Sequence, residues 1–280
     1  MECRRLPGSF GCEITGLMPY ESSDAELREL LKVLYAERFV VLRTEGITKP
    51  EYVALARRLG DPITLSGDQD FPEIANITNI GIDSQSEKRG AAHWHSDQSF
   101  RSRRASITML YAVEAPAQGG DTQFCDLAGA WTALDKKYQD EIRDYEVAHQ
   151  HGVSVSARQG DHTPIAPKGW DQNHTVTHPL VMTHPESGVE TLYAISGTPQ
   201  SVIGQSPEDG GRLLNHLCEH AFQPDFLNQH HYRKYDIVMW DNPPTMHSAS
   251  PIGPATCAED TRLLYRISLT GSPPVRRTKL

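Results

Sequence analysis

The sequence has no apolar run near the ~20 residues that a membrane-spanning helix needs, so no membrane partner is expected. Met1 to Phe10 carries Arg4 and Arg5 but no apolar stretch behind them, and so does not read as a secretion signal. Five scattered cysteines (Cys3, Cys12, Cys125, Cys218, Cys257) form no Cys-x-x-Cys pair. Their odd number and spacing argue against a disulfide framework, a zinc ribbon or an iron–sulfur cluster, and point to a reducing cytoplasm. Thr278-Lys279-Leu280 lacks the first residue of a peroxisomal Ser-Lys-Leu address and reads as a frayed basic tail. Positive charge is scarce as well: 27 Lys and Arg face 36 Asp and Glu, a net charge of −9. Such a field repels nucleic acid, so none is expected as a partner. An anionic small molecule would need a local basic site. There is no internal repeat or low-complexity segment, and homo-oligomerisation is left open.

What is present suits one globular domain over residues 1–280. The chain is long enough to bury a full core, and 38% hydrophobic with 22% charged residues is ordinary for a globular protein. Nineteen prolines and 21 glycines imply many turns. Ser23 caps a predicted helix from Asp24 with Leu27, Leu30, Leu31 and Leu34 at helical spacing. Phe39 to Leu42 reads as a buried strand, and a second helix follows Thr48 with Pro50 in its first turn, ending at Gly60. Beyond residue 73 the pattern becomes short strands: Ile74–Ile80, Ile107–Val113, Thr122–Cys125, Tyr145–His149, Thr191–Ile195, Tyr235–Trp240 and Leu263–Leu269. Helices are predicted after Asp126 and after the cap Ser206, where Pro207 and two acids occupy the first turn. The sum is a mainly β, α+β chain, a sandwich or jelly roll with helices on one side. Gln150 to His174 is polar and too long for a simple connection, the signature of a lid or a disordered segment. Gly81 to Ala92 is similar but shorter.

The chemistry concentrates in His93-Trp94-His95-Ser96-Asp97. On an extended strand side chains alternate, so His95 and Asp97 would share a face and grip one ion. The best distant third ligand is His247, in Trp240-Asp241-Asn242-Pro243-Pro244-Thr245-Met246-His247, placed at a turn just beyond an apolar strand. Two histidines and one carboxylate on one face of an octahedral ion leave positions open for co-substrate and oxygen. Other histidines take plainer readings. His216 and His220, four apart, lack the Glu and third ligand of a zinc site and fit a surface helix. His149 and His151 flank the long loop, where a substrate channel could run. Arg101, Arg103 and Arg104 fit a solvated patch or an anion guide.

Read onward, Asp97 is followed by Gly119-Gly120-Asp121-Thr122, then His247, then Arg262 and Arg266. This ordered set resembles the taurine dioxygenase / dichlorophenoxyacetate dioxygenase family across nearly the whole chain. Trp94 to Leu134 looks nearer the dichlorophenoxyacetate enzymes. The resemblance implies a double-stranded β-helix (jelly roll) core with flanking helices, and iron(II) held by His95, Asp97 and His247. It implies 2-oxoglutarate and O2 as co-substrates, with Thr122 and Arg262 on the far carboxylate of 2-oxoglutarate. A planar guanidinium suits that carboxylate bidentately. Arg266 would lie nearer the metal, beside the oxoacid carboxylate and an anionic group of the substrate. Two departures stand out. Fourteen residues, Ser248 to Thr261, separate His247 from Arg262, a few more than usual in the family. Pro243 stands where the family commonly has Arg.

The expected reaction is hydroxylation of a small organic acid, aryloxyalkanoate- or sulfonate-like, with release of succinate and carbon dioxide. The same chemistry on a natural-product intermediate fits the same motifs. Zinc at the same triad would instead suit a hydrolase, though Thr122, Arg262 and Arg266 would then have no role. A non-catalytic binding module on the same fold is the remaining rival.

Overall fold

The computed structural model describes residues 1–64, 69–81, 93–152, 171 and 173–271. Most of the Gly81–Ala92 approach, most of the Gln150–His174 stretch and the C-terminal tail lie outside the described residues. In chain order the elements are β1 (Glu2–Arg5), β2 (Cys12–Thr15), α1 (Asp24–Glu37), β3 (Phe39–Arg43), α2 (Lys49–Leu59), β4 (Asp61–Pro62), β5 (Ala75–Thr78), β6 (Ala105–Glu114), β7 (Thr122–Asp126), α3 (Leu127–Ala133), α4 (Lys136–Ile142) and β8 (Glu146–Gln150). The second half adds β9 (Thr175–Pro179), β10 (Val181–Thr183), β11 (Glu190–Leu192), β12 (Pro199–Val202), α5 (Pro207–Ala221), β13 (Leu227–His230), β14 (Asp236–Asp241), β15 (Thr245–Ala249) and β16 (Leu263–Thr270).

An eight-stranded sheet runs β1-β2-β3-β14-β6-β16-β4, with β5 also on β16. Its pairs are antiparallel except β2 with β3. A second layer comprises β13-β7-β15, β12-β8-β9 and the β10-β11 hairpin. Period-two alternation sorts the side chains between layers. On β3, Val40 and Leu42 join α1 and α2 on the outer face of the large sheet. Phe39 and Val41 point the other way, where Phe39 stacks on Phe124 of β7 with ring centroids 4.2 Å apart. Losing a ring such as Phe124 from this inter-sheet core typically costs ~3–5 kcal/mol. The outer face of the second layer is covered by α3 and α5, with Met246 of β15 and Cys125 of β7 among the contacts. The result is a jelly roll with helices on both outer faces, not on one side as the sequence suggested. Each face of the second layer has its own apolar set, and α3 and α5 bury the outer one.

The predicted helix starts hold. Ser23 with Glu26, and Thr48 with Glu51, form capping boxes, and Ser206 accepts from the Asp209 N–H; caps of this kind contribute ~1 kcal/mol each. Three local expectations need correction. The strand expected over Thr191–Ile195 ends at Leu192, because Ala194 takes a positive φ of 44° and turns the chain. His247 lies inside a strand, β15, not at a turn. Cys3 of β1 and Cys12 of β2, which lie opposite Ile14 and Arg5 in the register, form a disulfide with Cα atoms 6.2 Å apart, while Cys125, Cys218 and Cys257 are free.

Candidate metal centre

Between the two layers, His95 and His247 form an antiparallel bridge. The His95 N–H donates to the His247 carbonyl at 3.1 Å, and the His247 N–H returns the bond at 2.9 Å. This pairing holds the two imidazoles 4.2 Å apart. His95 does not belong to a longer strand: after the bridge the chain turns, with Gln98 at a φ of 56°. Asp97 reaches the same point from the start of that turn, not by strand alternation. Its Oδ1 lies 3.5 Å from His95 Nε2 and 3.8 Å from His247 Nε2. One ligand atom from each of the three residues falls within 4.8 Å of the others, and all three residues are buried. Gly197 makes room for this, since a Cβ there would sit 2.8 Å from the Cβ of His95.

The protonation pattern suits a cation. His95 Nδ1 lies 2.9 Å from the His93 carbonyl oxygen, which can only accept. In the neutral ring that puts the proton on Nδ1 and leaves the Nε2 lone pair facing Asp97, the usual preparation of a ligating histidine. Burial, and then the neighbouring His95, hold His247 well below the ordinary imidazole range, so its ring is neutral. Burial opposes ionisation of Asp97, but the Arg266 guanidinium outweighs it and holds the carboxyl well below its usual range. Neutral imidazoles and an ionised carboxylate are the forms that metal binding requires. Arg266 donates to Asp97 Oδ1 at 2.6 Å, so a positive charge already stands beside the carboxylate.

A second cluster lies near the start of β7. Thr122 Oγ1 is 2.7 Å from the Tyr232 hydroxyl, and the Arg262 guanidinium lies over the Tyr232 ring at 5.8 Å. Burial pushes the Tyr232 phenol up to about 12 and depresses Arg262 from its ordinary value. Arg262 is 6% exposed, its Nε has no hydrogen-bond partner, and among the described residues it makes no salt bridge. The carboxylate of Asp121 offsets the burial of this guanidinium only in part, and an incompletely compensated buried cation is costly, so this cradle fits an incoming carboxylate such as the far end of 2-oxoglutarate. The long Ser248–Thr261 connection does not displace it. Asn79 Oδ1 accepts from the Arg262 N–H, while Asn79 Nδ2 donates to the carbonyls of Gly253 and Asp260. Gly120 is required here too, because a Cβ would lie 2.9 Å from Arg262 Cδ.

All six sequence-chosen residues are therefore buried, in two clusters between or beside the sheets. Sequence reasoning missed Tyr232 and Thr108. The latter donates to Asp97 Oδ2 at 2.6 Å, and nothing in a strand pattern distinguishes it from its neighbours. Of the lesser candidates, His149 is buried with Nδ1 on Thr198 Oγ1 at 2.9 Å. His220 lies against the Ala130 carbonyl at 2.8 Å, and Arg103 is exposed and pairs with Asp61. No helix among the described residues is long and apolar enough to cross a membrane.

Comparison with known proteins agrees with this geometry. Residues 2–268 match the family model described as taurine catabolism dioxygenase TauD, TfdA family. The alpha-ketoglutarate-dependent 2,4-dichlorophenoxyacetate dioxygenase of Cupriavidus pinatubonensis is 31% identical over 239 residues, 79% of this chain and 82% of that one. Pentalenolactone F synthase of Streptomyces arenae is 26% identical, covering 91% and 92% of the two chains. The crystal structure of AAD-2 in complex with Mn(II) and N-oxalylglycine superposes with a TM-score of 0.77 at 27% identity, covering 98% of this chain and 99% of that one.

Proposed function

The chain belongs to the taurine catabolism dioxygenase (TauD, TfdA) family, and on that premise we propose that its His95, Asp97 and His247 hold iron(II) for hydroxylation of a small organic anion. The co-substrates are 2-oxoglutarate and O2. When bound, the iron with 2-oxoglutarate supplies the oxidising chemistry: one oxygen atom enters the substrate C–H bond, the other enters succinate, and carbon dioxide leaves. The protein's part is binding and orientation. His95 and His247 contribute Nε2 lone pairs and Asp97 its Oδ1. Arg262 and Thr122 anchor the far carboxylate of 2-oxoglutarate, and Arg266 faces the anionic group of the substrate. The whole chain is read as one dioxygenase domain.

The observation that carries this reading is the Arg262 guanidinium, buried with an unpartnered Nε four residues before Arg266, which bonds the Asp97 of the three-ligand cluster. A zinc hydrolase has no use for that cation. The substrate class rests on the phenoxyacetate enzyme among the relatives, because Arg266 already pairs with Asp97 and does not by itself call for a second anion. A natural-product intermediate is the second reading, favoured by the Streptomyces relative. The test is succinate release with iron(II), 2-oxoglutarate and O2 across aryloxyalkanoates, sulfonates and terpenoid acids. Hydrolysis without oxygen uptake would replace the proposal with the zinc reading. A cytoplasmic location is part of the same proposal, since 2-oxoglutarate is a metabolite of the cell interior. Thiol buffers there would reduce the Cys3–Cys12 bond, and thiol labelling of freshly lysed cells checks that.

A further inference from the structure

We infer that Thr108 is a positioning residue that confines Asp97 to a single ligating oxygen, Oδ1, and thereby keeps open a coordination position that a two-oxygen grip would close. The inference rests on the reading of His95, Asp97 and His247 as the metal ligands. It adds a residue from the centre of the large sheet to their support.

The hydrogen-bond directions around Thr108 can be assigned from the donors alone. Trp240 Nε1, which only donates, is 3.1 Å from Asn242 Oδ1. That fixes the amide orientation and leaves Asn242 Nδ2 donating to Thr108 Oγ1 at 3.0 Å. The Asp97 N–H also donates to Asn242 Oδ1, at 3.3 Å, so Asn242 holds Thr108 and the Asp97 backbone together. Arg266 Nε, again donor only, points at Ser268 Oγ at 3.3 Å. Ser268 Oγ is 3.1 Å from Thr108 Oγ1. A hydroxyl has one hydrogen and two acceptor sites, and a ligating carboxylate has no hydrogen to give. The single Thr108 hydrogen must therefore go to Asp97 Oδ2, 2.6 Å away. Ser268 then donates to Thr108, having accepted from Arg266. Every bond in the chain from Arg266 through Ser268 to Thr108 runs towards Oδ2, and the bond from Asn242 reinforces it.

The consequence is a division of labour between the two carboxylate oxygens. Oδ1 faces both His95 Nε2 and His247 Nε2 and spends one lone pair on Arg266, keeping the other for the ion, while Oδ2, farther from the imidazoles, is held by a fully buried hydroxyl. Carboxylates bind metals through one oxygen or two. With three protein ligands an octahedral ion keeps three positions, enough for a chelating oxoacid and one further molecule. A second oxygen from Asp97 would remove the last of these.

The test uses the full-length protein loaded with Mn(II), with enhancement of water proton relaxation as the count of exchangeable waters on the ion. Thr108→Val keeps the shape but removes the donor, and Thr108→Ser restores it. The expected counts for the unaltered protein and Thr108→Ser are about three waters alone and one with 2-oxoglutarate. For Thr108→Val they are about two and none. Equal counts in the unaltered protein and Thr108→Val would overturn the inference while leaving the triad intact. Failure of the unaltered protein to bind Mn(II), or unchanged binding in His95→Ala, would instead overturn the triad and this inference with it. If circular dichroism shows that Thr108→Val does not fold, Thr108→Cys, whose thiol is a weak donor, is held to the same expectation.

Discussion

Replacing Arg262 by Met should separate co-substrate binding from folding, with opposite signs for the two. Met keeps the apolar stem that packs against Tyr232 and beneath Gly120 and removes only the guanidinium. In the complex, a buried carboxylate loses its charged partner, a change of ~2–5 kcal/mol. At ~1.4 kcal/mol per decade this weakens 2-oxoglutarate binding roughly 30-fold to several thousand-fold. In the free protein the same change relieves a cation that burial already depresses and whose Nε has no partner. Such a charge typically costs several kcal/mol, offset by a ring contact of about 1 kcal/mol, so the metal-free variant should melt no lower than the parent and is expected to melt higher. Calorimetric titration of 2-oxoglutarate into Mn(II)-loaded protein gives the first quantity and a thermal melt the second. An unchanged affinity would refute the assignment and move the far carboxylate to Arg266. A lower melting temperature would refute the claim that burial outweighs the pull of Asp121 on Arg262.

Gly197→Ala should weaken metal binding several-fold, because the residue sits at a φ of 91° and its new Cβ would press on His95 and the Trp94 carbonyl. Mn(II) titration checks this, and an unchanged affinity would confine Gly197 to a folding role. Asp236→Asn should cost about 3 kcal/mol at neutral pH, since it breaks a buried carboxylate held by Arg43, His230 and the Arg233 N–H. Burial works against ionisation of Asp236, but His230 and Arg43 outweigh it and lower its pKa. Its contribution is therefore complete above the unfolded value of about 4 and is lost as pH falls through the lower folded one. Urea melts between pH 7 and 2 should show the variant and parent converging at the acid end, and parallel curves would count against the assignment. For whichever acid the succinate screen identifies, the methyl ester should be turned over much more slowly if Arg266 anchors the anion. Equal turnover would restrict Arg266 to Asp97 and the co-substrate.

Local features came through the sequence clearly because local physics decides them. Ser23, Thr48 and Ser206 cap the helices predicted from them, since a side-chain oxygen three residues before a free N–H needs no tertiary help. The strand at Tyr235–Trp240 was legible because β14 lies between β3 and β6 with both faces covered, and so reads as one apolar run. His95, Asp97 and His247 were legible as residue types in an ordered set, and they converge as that set implied. Their means of convergence was not. The expected strand alternation is in fact a one-residue bridge followed by a turn, because pairing with β15, 152 positions later, fixes His95. Thr108, Tyr232, Asn79 and Gly197 acquire their roles only when β6, the segment after β13, the segment after β5 and the turn before β12 are brought against the site. No pattern within their own segments marks them, since each is selected by a partner more than 10 residues away. The sequence by itself thus determined which chemistry the chain can hold. The tertiary structure decided which oxygen of Asp97 turns to the two imidazoles and which buried cation keeps an unpartnered Nε, because those depend on burial and on hydrogen-bond direction across the two sheets.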